Sequence, residues 1–274
     1  NKIVLEKNEH YWKKGVPKLD KVVFRVIPEA STRLAELQTG KIDIMKRVEV
    51  SQVDMVKKSS FLKLLEVDTP TVFALRFNTS KKPLDDVRVR QALNYAIDKQ
   101  AIIDEILGGY GKPISTFQST LSFGNNPNLK PYPYDPKKAK KLLAEAGVKE
   151  GTVLDIYIPG NDGNFKEIAQ AVSFYLEQVG LKAKINTVDG NTLISELIPN
   201  GRAGHMYRQG WGGWTLDFDN TAYLMYHEGE FWNPDFKDEE VEKLLAAERS
   251  TVDQKEREKF FMKLTERLYE LAPE

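Results

Sequence analysis

The chain has 274 residues, long enough for one large domain or two smaller ones. Apolar residues make up 41% and charged residues 29%, an ordinary balance for a folded domain, and 40 basic against 40 acidic residues leave no net field to draw nucleic acid or an anionic membrane. Cysteine is absent, which excludes disulfides, a thiol nucleophile and cysteine metal ligands, and no apolar run approaches the roughly eighteen residues of a membrane span.

In chain order, residues 20–27 (DKVVFRVI) are rich in β-branched side chains and predict a strand ended by Pro28. Ser31 is the expected N-cap of a helix that stops at Gly40. KIDIM (41–45) predicts a short strand and 51–58 a short helix. FLKLLEVD (61–68) and TVFALRFNTS (71–80) predict two more strands, interrupted by Thr69-Pro70, a candidate hinge or domain crossing. In 85–109, Val89, Leu93, Ala96 and Ile97 share one helical face. Asp98 then fits a new N-cap, with Ile102, Ile103 and Ile106 inward and Gly108-Gly109 as the stop. Residues 111–136 form a long Pro-rich excursion of the kind that carries function or wraps a surface. DPKKAKKLLAEAG (135–147) predicts a helix with Asp135 as cap and Pro136 at the first helical position. Strand and helix patterns then alternate: strand 153–160, helix 164–180, strand 181–189, short helix 190–201, strand 203–211. That spacing predicts a layered α/β domain. Two charged amphipathic helices are expected after residue 237, broken at Val252-Asp253. The chain opens on Asn1 and stops inside an amphipathic pattern, so a fragment or processed piece without its targeting segment is expected.

Residues 210–220, GWGGWTLDFDN, carry the strongest functional signal. Glycine lets a backbone approach a ligand, Trp211 and Trp214 offer flat apolar faces, and an aspartate accepts from hydroxyls or pairs with an ammonium group. The competing reading packs both indoles in the core and uses the aspartates as helix caps. Asp217, Asp219, Thr221 and Glu228 match four positions of a calcium loop, but Ala222 stands where its sharp turn needs glycine. Asp217 and Asp219 are also a possible glycosidase pair, about 7 Å apart if both lie on a strand. His10, His205 and His227 have no zinc-site spacing, and nucleophile-elbow and phosphate-loop motifs are missing, so no metal, cofactor or catalytic residue is expected.

Two segments resemble the large extracytoplasmic solute-binding proteins of oligopeptide, dipeptide and nickel ABC importers (family 5). They are NEHYWKKGVPKLDKVVFRVIPEASTRLAELQTGKIDI and LRFNTSKKPLDDVRVRQALNYAIDKQAIIDEILGGYGKPI, the latter with Asn78, Pro83, Val89, Arg90, Ala92, Leu93, Ala96, Asp98 and Gly109 in place. YDPKKAKKLLAEAG and ERLYELAPE also fit, in collinear order. The resemblance implies an α/β, two-lobed periplasmic-binding-protein fold with a mixed sheet flanked by helices. Residues 1–68 would be part of the first lobe and 69–274 nearly all of the second. It implies a non-enzymatic protein outside the cytoplasm that closes on a solute, first an oligopeptide and alternatively an oligosaccharide, and presents it to permease subunits. Trp214, Asp217 and Phe218 align with the family's W-x-x-D-Y-x-D-P stretch, whose Asp often meets the peptide ammonium. Asp219 comes one residue early, and Asn220 stands where Pro is common. The candidate ligand-binding set is therefore Trp211, Trp214, Asp217, Phe218, Asp219, Asn78, Arg76 and Arg208, the two arginines as partners for a peptide carboxylate. Self-association of the fragment through uncovered surface is a further expectation.

Overall fold

The computed structural model of the chain, which describes residues 1–160 and 162–274, divides into two units, Asn1–Val67 and Asp68–Glu274. In the first unit β1 (Lys2–Glu6) pairs antiparallel with β2 (Lys21–Arg25), Ile3 opposite Phe24 and Leu5 opposite Val22. Two helices follow, α1 (Ala30–Gln38) and α2 (Val50–Lys58). Ser31 lies inside α1 rather than at its cap: Glu29 holds the N-cap position without a side-chain hydrogen bond. Residues 41–45 and 61–68, expected as strands, join no strand. Neither carries a residue that any described strand pairs with, and an extended apolar run without a ladder partner has nothing to satisfy its backbone.

The second unit is built on a four-stranded sheet in the order β3-β6-β4-β5. Its strands are β3 (Val72–Phe77), β4 (Val153–Pro159), β5 (Lys182–Val188) and β6 (Met206–Trp211). β4 runs parallel to β5 and β6, while β3 runs antiparallel to β6, from Val72 opposite Trp211 to Phe77 opposite Met206. The helices are α3 (Val87–Ala96), α4 (Lys99–Ile106), α5 (Pro136–Glu145) and α6 (Gly163–Gln178). A short α7 (Gly190–Thr192), continued by a π turn over Leu193–Leu197, precedes α8 (Phe218–Tyr226), α9 (Glu239–Arg249) and α10 (Gln254–Leu271). Asp98, Asp135 and Asp253 cap α4, α5 and α10 as the sequence predicts, each accepting from a backbone N–H in the first turn. No helix is expected from the sequence over α8, whose buried face is Phe218, Ala222, Met225 and Tyr226.

Strand alternation sorts the apolar side chains into two cores. Leu75, Phe77 and Met206 join Leu154, Ile156 and Ile158 of β4 under α3, α5 and α6. Val72, Ala74 and Trp211 point the other way, into a second core with Phe218, Met225, Leu245, Phe261 and Leu264 from α8, α9 and α10. The end of the chain is fastened to the start of the unit. Phe77 N donates to Pro273 O, Arg90 Nε to Leu271 O and Asn94 Nδ2 to Glu274 O.

Candidate functional site

Because β4, β5 and β6 run in one direction, their carboxyl ends lie at one edge of the sheet, together with the amino end of β3. β6 pairs with β4 only at Met206 and Tyr157↔Tyr207, so Gly210 and Trp211 reach past the end of β4. α6 also begins here, capped by Asp162. In parallel α/β sheets the crevice outside the carboxyl ends is where ligands bind.

Aromatic rings line this edge. Trp211, 6% exposed, is anchored in the second core and donates from Nε1 to Asn220 Oδ1 at 3.3 Å. Trp214, 76% exposed, stacks on it with centroids 5.4 Å apart and planes 24° from parallel. Trp232 meets Trp211 edge-on at 5.8 Å, and Phe231, 50% exposed, meets Trp232 edge-on at 5.0 Å. Four rings thus form a row with solvent at both ends. The backbone permits this because of its glycines: a Cβ on Gly212 would sit 2.3 Å from Trp214 Nε1. The turn that carries Trp214 uses left-handed backbone at Gly213 (φ 49°) and at Leu216 (φ 56°), a strained conformation for leucine.

On the other face of β6, Phe73, 53% exposed, lies flat over Gly210, whose Cβ would meet the ring at 2.8 Å. The Arg208 guanidinium sits 4.7 Å from the Phe73 centroid and 5.5 Å from that of Phe165, and its Nη2 is 3.3 Å from Asp162 Oδ2. The Arg208 guanidinium is thus held between two rings and the Asp162 carboxylate at the start of α6.

Of the expected site residues, Trp211 and Trp214 stack at this edge, and Arg208 lies on the other face of β6. The others lie elsewhere. Phe218 is fully buried in the second core. Asn78 lies beyond the opposite end of β3, roughly 20 Å away at the rise of a strand; it is buried, donates to Gly201 O and accepts from Ser80. Arg76 is buried under the sheet, donating to Met225 O with its guanidinium over the Tyr226 ring. Burial pulls its pKa down, but Tyr207, Tyr226, Glu274 and Asp235 around it outweigh that and hold it above the usual value.

The aspartates are corrected most sharply. Asp217 caps α8 by accepting from Asp219 N at 3.0 Å, and Arg257 of α10 takes both its oxygens, Nη1 to Oδ2 at 2.5 Å and Nη2 to Oδ1 at 2.9 Å. Asp219 faces Arg249, Nε to Oδ1 at 3.4 Å, and Glu248. Both carboxylates are thus matched to guanidinium groups within the fold. The sequence could not show this, because Arg257 lies 40 residues from Asp217 with no motif linking them. Phe73 and Phe231, which the sequence reading passed over, were detectable only as outward positions of an aromatic-rich stretch. Among the described residues no group of three or more His, Asp or Glu is arranged to hold a metal: His205 sits by Asp155, His227 by Glu242, and His10 in the other unit.

Residues 1–233 match the family model "Bacterial extracellular solute-binding proteins, family 5 Middle". The glutathione-binding protein GsiB of Salmonella paratyphi A is 28% identical over 281 residues, covering 99% of this chain and 54% of that protein. Heme-binding protein A of Haemophilus influenzae is 31% identical over 273 residues, 97% of this chain and 49% of that protein. Among solved structures, the periplasmic binding protein DppA of Helicobacter pylori in complex with peptide STSA aligns with a TM-score of 0.85 at 30% identity, covering 99% of this chain and 53% of that one. The ABC transporter substrate-binding protein CtaP of Listeria monocytogenes gives 0.89 at 26% identity, covering 99% and 56%. The chain spans about half the length of the curated relatives it matches.

Proposed function

This chain belongs to the bacterial extracellular solute-binding proteins of family 5, and we propose on that premise that it binds an oligopeptide at the carboxyl edge of its four-stranded sheet for delivery to an ABC permease outside the cytoplasm. Its fold is of the periplasmic-binding-protein type, a mixed sheet flanked by helices. We read Asn1–Val67 as part of one lobe and Asp68–Glu274 as most of the other. The single observation that carries the reading is the exposed Trp214–Trp211 stack at the carboxyl edge of the sheet, with Arg208 on the opposite face of β6. Rings receive an apolar side chain, and a guanidinium receives a terminal carboxylate. No nucleic-acid partner, metal or cofactor forms part of this proposal, and no helix among the described residues is long and apolar enough to cross a membrane.

The test is calorimetric titration of the intact protein with tri- to pentapeptides, carboxyl-amidated peptides and linear oligosaccharides. Trp214→Ala is expected to weaken peptide binding by about 1–3 kcal/mol, the scale of a buried aromatic contact. Arg208→Gln is expected to weaken free-acid peptides and leave amidated ones unchanged. Binding of sugars alone would move the assignment to oligosaccharides. Peptide affinity indifferent to both substitutions would remove this edge as the site.

A further inference from the structure

A charge cluster lies behind the Trp214 turn. Arg257 grips Asp217 with both terminal nitrogens and donates from Nε to Glu248 Oε2 at 2.8 Å. Glu248 is 0% exposed. Its Oε1 and Asp219 Oδ1 are both buried and receive no hydrogen bond from any nitrogen or hydroxyl. The charged groups around this acid are Asp217 and Asp219 at the start of α8, Arg249 next to it on α9 and Arg257 from α10. Three carboxyl groups thus meet two guanidinium groups. Arg249 Nε lies 3.4 Å from Asp219 Oδ1 without completing a hydrogen bond to it, and two buried carboxylate oxygens left without a hydrogen bond repel each other. One proton placed between them removes both penalties.

We propose that Glu248 keeps a proton and donates it to Asp219, and that Glu248 and Arg257 are positioning residues that hold the Asp217 cap and, through it, the Gly212–Leu216 turn and Trp214. The turn has few other ties. Leu216 O accepts from Phe123 N at 2.8 Å and Leu216 N donates to Gly213 O at 3.0 Å, so the Asp217 anchor fixes the end of a short strained loop. Burial and then Asp219 push the Glu248 carboxyl up to about 8, against the pull of Arg257. Loss of the proton sets Asp219 and Glu248 against each other at the first turn of α8 and frees the turn. The value of this latch for solute binding rests on the function proposed above, but the latch itself is measured without any solute.

The experiment is a tryptophan fluorescence titration of the intact, solute-free protein from pH 5 to 9.5, repeated on Trp214→Phe, Glu248→Gln and Arg257→Lys. Gln keeps the shape of a protonated Glu and donates to Asp219 at every pH. The wild-type signal is expected to change with a midpoint near pH 8. The change should vanish in Glu248→Gln and in Trp214→Phe, and Arg257→Lys, which lacks the two-pronged grip, should show the high-pH signal already at pH 6. Should the lysine variant fail to fold, the glutamine variant decides alone. A flat wild-type profile, or a transition that survives Glu248→Gln, would overturn the latch. Because no ligand is present, either result leaves the solute assignment to be judged by calorimetry.

Discussion

Two glycines show how the same substitution separates site from scaffold. A Cβ on Gly212 would lie 2.3 Å from Trp214 Nε1, yet that indole is exposed and free to swing away. Gly212→Ala is therefore expected to leave the thermal midpoint nearly unchanged while abolishing the Trp211–Trp214 stack, seen as a loss of peptide affinity comparable to that of Trp214→Ala. A Cβ on Gly124 would lie 2.4 Å from Phe261, whose ring is fully buried in the second core, and the backbone there has φ 83°. Overpacking of that kind costs about 1–3 kcal/mol before the strain of a left-handed alanine is added. Gly124→Ala should lower the denaturant midpoint accordingly. At this scale the sequence was half legible. The density of Trp, Gly and Asp in 210–220 marked a stretch that the structure shows as a glycine-rich turn carrying an exposed indole, because those residue types together suit a close-approach loop. It did not say which members face out, since that depends on Arg257 and Asn220 capturing Asp217 and Trp211.

Among the elements, the helices with an Asp cap and a clean apolar face were foreseeable, and the failures have physical causes. α5 carries every local signal: Asp135 accepts from Lys138 N at 2.9 Å, Pro136 takes the first position, and Ala139 and Leu143 turn inward. Asp135→Ala should cost about 1 kcal/mol in chemical unfolding, within the 0.5–2 range for such caps, because one orphan N–H loses its acceptor. α8 went unseen because its face is made of Phe218, Ala222, Met225 and Tyr226, an aromatic-rich set that propensity alone does not mark as helical. The segments 41–45 and 61–68 were misjudged for the opposite reason. Their residues favour a pleat, but strand identity is conferred by a partner edge, and none is supplied.

At the scale of the whole molecule, burial of titratable groups makes stability depend on pH in a direction that can be worked out. Glu248 is raised from its ordinary 4.5 to about 8, and Asp235 is also raised, in both cases by burial first. The folded chain then holds protons that the unfolded chain has released, so this contribution is full at pH 4.5 and is lost as pH rises to about 8. Lys99 moves oppositely: burial lowers it from 10.5 to about 8, so its folded form sheds a proton first and stability returns between those values. Relative to Glu248→Gln, the wild-type thermal midpoint is expected to fall from pH 5 to 8. A difference between the two that does not change across that interval would contradict the protonated pair. The α/β class followed from strand–helix alternation, whereas the charge pattern inside the fold did not, because nothing in a linear sequence of mixed signs says which charges are dry. The fastening of the last residues onto β3 and α3 has its own consequence during ribosomal synthesis. Asn94 bonds to a carbonyl 180 positions later, so the first sheet strand and its neighbouring helix leave the exit tunnel long before their closing partner exists. The nascent second unit stays incomplete until residues 271–274 emerge and give Arg90 and Asn94 their carbonyl acceptors.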